Sequence, residues 1–299
     1  ASDVYKRQVL LPAALRWTTV LSNFVAVAFA LASAVVIAWG TVVRHRIALD
    51  ATSAVLRTAI RQPLWWVGTL AAVAGYALQV VALGFGTLLI VQPVLMLSLM
   101  FTLPLSAWYA HRRMARRDVA WSLALTVAVA VMVVLGRPSH GLVQPPLDRW
   151  LPALGVGLVV MAALIGTAQL GKGNRALLLG TACGCLYGYV AVLSKAVVDI
   201  FTSAGPVALL GSWEFYALVI SAGAGTVLQQ YSFNAGPLTY SLPAMTIVEP
   251  IVAFALGYAV LDEQFAVETT LGWCVMAIAL ATMIAGTIAL SRQSEKAAV

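Results

Sequence analysis

Residues 236–263 read GPLTYSLPAMTIVEPIVAFALGYAVLDE, and the interpretation of the whole chain starts from them. Glu249 is the one carboxylate near the middle of this stretch. At about 1.5 Å per helical residue, the stretch is long enough to cross the hydrocarbon layer of a membrane. An ionised carboxylate costs about 2.5–3.5 kcal/mol there, so such a group usually faces a cavity or a partner. We expect Glu249 to face a solute pathway; the alternative is a protonated carboxyl in a proline-kinked packing helix.

The residues around Glu249 favour a helix that is both kinked and closely packed. Pro250 has no N–H and therefore frees the carbonyl of Thr246 one turn earlier. Ala253 and Gly257 follow Glu249 at intervals of four residues. This spacing places small side chains on one helical stripe, where another helix can approach closely.

The composition places the chain in the membrane class. Of its 299 residues, 62% are hydrophobic and 10% are charged, with a mean hydropathy of +0.93. These values exclude an ordinary soluble domain. The net charge of +7 is spread over short segments between apolar runs, where it orients helices and forms no basic face for nucleic acid.

Residue types that carry catalysis or metal binding are scattered along the sequence. The cysteines lie in apolar segments and the histidines in predicted loops, at no metal-ligand spacing: Cys183, Cys185, Cys274, His45, His111 and His140. The sequence contains no phosphate-binding glycine loop and no nucleophile with a positioned base. We therefore expect no enzyme activity, no cofactor and no bound metal.

Nine apolar segments are predicted as transmembrane helices of an all-α membrane protein. Four of them, with an interfacial helix over 41–62, form a first repeat over 18–136. A linking helix follows at 150–170, and four more helices form a second repeat over 177–290. Residues 1–17 form an N-terminal segment, whose start ASDVYKRQ is expected to be non-native, and 291–299 form a tail. The predicted spans are 18–40, 63–83, 86–110, 119–136, 150–170, 177–199, 212–233, 237–260 and 269–290.

Basic residues predict the orientation of these helices. If the N-terminus is outside, twelve Lys and Arg side chains share the cytoplasmic side, in the segments 41–62, 111–118, 171–176 and 291–299. Beyond the N-terminal segment, the opposite side holds Arg137 and Arg149. The positive-inside rule therefore predicts an outside N-terminus and a cytoplasmic C-terminus in a bacterial inner membrane.

An internal repeat supports this arrangement. A shift of 150 residues superposes 74–93 on 224–243 with seven identities in twenty positions. The identical pairs are Ala74 and Ala224, Gly75 and Gly225, Leu78 and Leu228, Gln79 and Gln229, Gly86 and Gly236, Leu88 and Leu238, and Pro93 and Pro243. The match moves by five predicted helices, so the halves must be inverted in the membrane. Many secondary transporters build two access states around a central site from such repeats.

Polar residues at membrane depth are the candidates for contacts with substrate or a coupling ion. Gln79 and Gln229 are expected either to bond across helices or to face a solute. Lys195 is expected to snorkel towards the outer surface, with a contact to substrate or Glu249 as the alternative. Tyr187 either lines a cavity or packs in the core. The full set is Glu249, Gln79, Gln229, Gln92, Lys195 and Tyr187, with helix kinks at Pro93, Pro243 and Pro250; Glu214, Asp262, Glu263 and Glu268 are expected to be solvated.

Two stretches of the second half resemble the EamA type of the drug/metabolite transporter superfamily. EPIVAFALGYAVLDEQF at 249–265 is similar to the signature in which Glu-Pro opens a small-residue helix and an acid, here Glu263, follows at its end. LYGYVAVLSKAV at 186–197 resembles the helix that opens the repeat. In the first half, 65–110 is similar to the NIPA-type magnesium transporters, which have nine predicted helices and an outside N-terminus. The resemblance implies a helical bundle with a central cavity that exports amino acids or other small metabolites, by proton coupling or exchange.

These observations predict a secondary transporter, more specifically an exporter of a small metabolite, with Glu249 either as the group that couples transport to protons or as a substrate-binding group. One alternative is a magnesium or divalent-cation transporter of NIPA type, against which stands the scarcity of membrane carboxylates. A second alternative is a non-transporting membrane accessory subunit. The expected partners are a small-molecule solute and the lipid bilayer, with a homo-oligomer left open and nucleic acid excluded.

Overall fold

The computed structural model describes residues 21–40, 42–43, 63–109, 115–139, 141–171, 174–236 and 238–296. The segment 1–17, most of the predicted interfacial helix at 41–62 and all three histidines lie outside this part of the chain. The regular elements within it are helices. They are α1 Leu21–Gly40, α2 Pro63–Phe85, α3 Leu88–Met96, α4 Ser98–Tyr109, α5 Arg116–Gly136, α6 Leu147–Gln169, α7 Arg175–Leu210, α8 Trp213–Asn234, α9 Leu238–Ala259 and α10 Thr270–Lys296.

Seven of the described helices are long and apolar enough to cross a membrane: α1, α2, α5, α6, α7, α9 and α10. The other three described helices, α3, α4 and α8, cover two of the nine predicted spans but do not meet this criterion. A turn at Leu97 separates α3 from α4, and the apolar stretch found across both, Leu88–Thr102, is shorter than the seven. Helix α8 is long enough but is not among the seven, because glutamine, serine and asparagine interrupt its apolar residues. The chain is therefore an all-helical, multi-pass membrane protein.

Helix α7 is the centre of the bundle and packs against α2, α6, α8 and α9. About 72% of the most apolar 18-residue stretch of α7 is buried, compared with 11% of the corresponding stretch of α6. It extends beyond the predicted end at 199, through a break at Gly205, whose φ of 82° suits glycine, followed by Pro206. Because other helices enclose the middle of α7, its polar residues there, Ser194 and Lys195, face protein and not lipid.

Three glycines of α7 allow α9 to approach closely. Gly180, Gly184 and Gly188 are spaced four residues apart on one buried stripe. A Cβ added at each would lie 2.7, 2.9 and 3.0 Å from a backbone oxygen of α9, the last of them that of Glu249. Contacts this short leave no room for a side chain at these positions unless the two helices move apart. The stripe therefore fixes the register between α7 and α9 and so positions Glu249.

Glu249 and Pro250 lie in the middle of α9, which begins at Leu238. The resemblance implied that Glu-Pro opens a helix, and this implication is wrong for the described helix. Both Pro243 and Pro250 lie inside α9, and Pro93 lies inside α3, which ends three residues later at Met96. The three predicted kink residues are thus all intrahelical.

The α5–α6 and α9–α10 connections are joined at one end of the bundle. Ser139 and Gln264 form an isolated antiparallel bridge, with the Ser139 N–H donating to the Gln264 carbonyl at 2.9 Å. The Leu142 N–H also donates to the Leu261 carbonyl at 2.6 Å. These bonds join the segment that carries Glu263 to the α5–α6 connection.

Candidate functional site

A cavity of about 280 Å³ lies between α2, α3, α4 and α9, with one residue from α1. Three of the predicted site residues line it, namely Glu249, Gln79 and Gln92. The other lining residues are Ile37, Leu95, Met96, Ser98, Leu99, Thr102, Leu242, Thr246 and Pro250. We call this space the Glu249 cavity, since Glu249 is its one charged lining residue among those the structure describes.

Local backbone features place these side chains around the cavity. A turn at Leu97, whose N–H donates to the Val94 carbonyl at 3.1 Å, separates α3 from α4 beside the cavity. As a result, residues from both short helices contribute to one wall. Glu249 lies on the opposite wall, where the glycine stripe of α7 holds α9 in register.

Gln92 is the most enclosed polar group of the cavity, with 3% of its surface exposed. Its Nε2 is buried and has no hydrogen-bond partner in the described part of the chain. An unsatisfied buried donor costs about 1–3 kcal/mol. Native proteins seldom keep such a group unless it serves a purpose, so Gln92 is a candidate ligand contact.

The Glu249 carboxylate is half-buried and lies close enough to Tyr76, Cys183 and Tyr187 to interact with them electrostatically. None of the described residues forms a hydrogen bond or an ion pair with it. Carboxylates in protein interiors normally have such a partner. The group is therefore available to a solute or a proton.

The two glutamines that the repeat pairs have different positions. Gln79 is 8% exposed and lines the Glu249 cavity. Gln229 lies outside it, where the Tyr187 hydroxyl donates to its Oε1 at 3.4 Å. Gln229 thus bonds to a neighbouring helix, whereas a contact of Gln79 with a solute stays a prediction. Tyr187 contacts a neighbouring helix and is not a lining residue.

Lys195 is buried, with 5% of its surface exposed, so the snorkelling prediction is wrong. Its Nζ donates to the Leu83 carbonyl at 2.8 Å and pairs with Asp199 at 2.8 Å. The Leu83 carbonyl lies near the C-terminal end of α2, where a cation is favourable. Because Lys195 does not line the Glu249 cavity, a direct contact with solute there is not supported.

Glu263 is completely buried, so the prediction that it is solvated is wrong. Its Oε1 and Oε2 accept hydrogen bonds from the N–H groups of Leu88 and Leu89 at 2.9 and 3.0 Å. Glu263 thus caps the N-terminus of α3. The residue at the N-cap position, Thr87, makes no capping hydrogen bond with its own side chain. Burial raises the pKa of Glu263 to about 7, and this rise is limited by both N–H donors and by Lys195, which favour the ionised form.

The other acids predicted to be solvated divide into two groups. Glu214 is buried in the first turn of α8, so that prediction is also wrong. A carboxylate is favourable at this position because of the helix dipole. Asp262 pairs with Arg149 at 3.3 Å with both side chains partly exposed, and Glu268 is exposed.

A second, more open space of about 800 Å³ lies between α5 and α10. Its wall is mostly apolar and includes the exposed Val127 and Val134. Arg137 and Glu268 are its charged lining residues among those described. Such a surface suits lipid chains, and it brings no polar cluster into the bundle.

The fold and the cavity describe a multi-pass membrane protein with one enclosed acidic site in its described part. Over 280 residues the chain is 56% identical to an uncharacterized protein of Corynebacterium glutamicum, with 91% of this chain and 96% of the relative covered. The chain belongs to the same family as that protein. No protein-family model matches the chain, and no solved structure matches it either.

Proposed function

We propose that the protein is a secondary transporter, an exporter of a small metabolite across the cytoplasmic membrane, with Glu249 as the group that binds the solute or a coupling proton. The observation that carries this proposal is the Glu249 cavity, a partly enclosed space that combines an unpaired acid with the unpartnered amide of Gln92. Transport sites at membrane depth are typically built from such residues.

The proposal includes two repeats related by the shift of 150 residues, and helix contacts support it. The Ser33 hydroxyl donates to the Gly75 carbonyl at 2.7 Å. At the shifted positions, the Cys183 thiol donates to the Gly225 carbonyl at 3.6 Å. The pairing of α1 with α2 is thus repeated by α7 with α8.

The small residues that allow this packing also recur. In α1, Ala26, Ala30, Ala34 and Ala38 are all buried at intervals of four. The shift of 150 places them on Ala176 and on the three glycines of the α7 stripe. A Cβ at Gly86 would lie 2.5 Å from the Cβ of Ala26, and one at Gly236 would lie 3.2 Å from that of Ala176. We assign α1–α5 and α7–α10 to the two repeats, with α6 linking them.

The Glu249 cavity lies where the proposed repeats meet. Three residue pairs related by the shift line it, and both members of each pair contribute: Gln92 and Leu242, Met96 and Thr246, and Leu99 and Glu249. A cavity on such a pseudo-symmetry axis is the expected place for a site that is exposed to each side of the membrane in turn. In each pair one member is polar and the other apolar, so the chemistry of the site is asymmetric although its architecture is shared.

The five-helix offset implies that the repeats are inverted, with the N-terminus outside and the C-terminus in the cytoplasm of a bacterial cell. The magnesium alternative gains no support from a specific contact. The described residues bring one carboxylate to the cavity and contain no group of three or more metal-ligating side chains.

The proposal is tested with purified protein in liposomes that carry a pH gradient and an internal pH dye. We expect a panel of small metabolites to include solutes that dissipate the gradient. Glu249→Gln should abolish this solute-dependent proton flux, because the amide cannot release a proton. Glu268→Gln, which changes an exposed acid, is the control and should retain it.

Full solute-dependent proton flux in a correctly inserted Glu249→Gln variant would contradict the role of Glu249. If no solute moves in any condition and a second membrane protein copurifies, the accessory-subunit alternative would replace the transporter proposal.

A further inference from the structure

The chemical groups that line the Glu249 cavity narrow the class of solute it can take. Among the described lining residues the one charge is the carboxylate of Glu249, and no Lys or Arg side chain is present. A solute with a net negative charge would therefore enter a partly enclosed space whose described lining has no cation to balance it. Burying an unbalanced charge is costly.

Charge balance favours a solute with one positive charge. The Glu249 carboxylate forms no hydrogen bond or ion pair with any described residue. An ammonium group supplies up to three donors and neutralises the carboxylate. A zwitterion such as a free amino acid also offers an ammonium group, but it leaves one net negative charge in the cavity.

Gln92 adds a second requirement, for a hydrogen-bond acceptor. Its Nε2 is buried and lacks a hydrogen-bond partner in the described chain, and only 3% of the surface of the residue is exposed. A neutral carbonyl oxygen satisfies this donor without adding charge. Gln79 contributes a further amide to the lining of the cavity.

The size of the cavity limits the solute to a small molecule. Its volume of about 280 Å³ lies just below the range of roughly 300–1,000 Å³ that holds drug-sized ligands. Apolar lining residues, including Leu95, Leu99 and Leu242, leave room for a short alkyl group.

We infer that the Glu249 cavity binds a small primary amine with one positive charge and a neutral carbonyl acceptor, the ammonium on Glu249 and the carbonyl on Gln92. This inference rests on the proposed function, because it assigns the solute class of the same site.

Three probes of similar size separate the possibilities: L-leucinamide is a monocation, L-leucine is a zwitterion, and 4-methylpentanamide is neutral. Binding is measured by calorimetry with full-length protein at pH 6.5, below the ordinary α-amino pKa of roughly 7.7–8.0, so that leucinamide is protonated. We expect leucinamide to bind at least about tenfold more tightly than either of the others, since a hydrogen bond to a charged group is stronger than one between neutral groups.

Matched variants test the two contacts. Gln92→Leu introduces the residue found at the repeat-related position 242, and should weaken leucinamide binding about tenfold. Gln229→Leu removes the same side chain outside the cavity and should leave the Kd of leucinamide unchanged. Glu249→Gln should remove the preference for leucinamide over 4-methylpentanamide.

Tighter binding of leucine or of 4-methylpentanamide to the wild-type protein would overturn the inferred class. If that binding still required Glu249, the proposed transport function would stand. An unchanged Kd in Gln92→Leu would overturn the carbonyl contact. If none of the probes binds and no solute moves protons across liposomes, both the inferred class and the proposed function are overturned.

Discussion

At the scale of single residues, the side-chain amide of Gln92 is buried in the cavity, and its Nε2 has no hydrogen-bond partner in the described chain, which is unfavourable. Replacing it with leucine removes this cost and keeps similar volume, so Gln92→Leu should stabilise the unliganded protein by about 1–3 kcal/mol. Thermal unfolding in detergent measures the change, with Gln229→Leu as the control that loses a bond to Tyr187 and gains nothing. A lower unfolding temperature for Gln92→Leu would contradict this reading of Gln92.

At the scale of elements, a carboxylate on the α9–α10 connection holds the start of α3. The two carboxylate oxygens of Glu263 accept hydrogen bonds from two successive N–H groups there. A glutamine at this position can accept only one of these bonds through its oxygen, because its NH₂ group is a donor and would face the other N–H. Glu263→Gln should therefore cost roughly 1–3 kcal/mol and speed hydrogen exchange at Leu88 and Leu89. Mass spectrometry of the peptide that spans α3 measures the exchange. Glu268→Gln changes an exposed acid of the same connection and should have no effect; equal exchange in both variants would refute the capping role.

At the scale of the whole molecule, the bundle depends on glycines where α7 crosses α9. A Cβ at Gly184 would lie 2.9 Å from the Met245 carbonyl oxygen, whereas one at Gly223 of α8 meets no atom within 4 Å. Gly184→Ala should thus force the helices apart and cost about 1–3 kcal/mol. Gly223→Ala should be neutral or stabilising by up to about 1 kcal/mol. Unfolding temperature and monodisperse yield compare the two variants, and equal tolerance of both would show that close packing at Gly184 is not required.

Much of this molecule follows from short-range patterns. Apolar runs predict the helices, and prolines predict kinks within them. Neither prediction depends on which helix lies opposite. The same patterns singled out Glu249, Gln79 and Gln92, which the structure brings to one cavity. The solvated interpretation of Glu263 failed because its partners are N–H groups 174 and 175 residues away in the chain.

The sequence by itself determined the all-helical membrane class, because hydrophobicity and helical period are local properties of the chain. Only the tertiary structure decided which polar residues share the cavity. Gln79 and Gln229 are both glutamines and are related by the shift of 150 residues, but their neighbours differ. Gln229 is bonded by Tyr187, whereas the position related to Tyr187 by the same shift is Ile37, which has no hydroxyl group. Lys195 likewise became buried because a helix end and Asp199 surround it. The environment of a side chain depends on the packed neighbour, and that neighbour comes from a distant part of the chain.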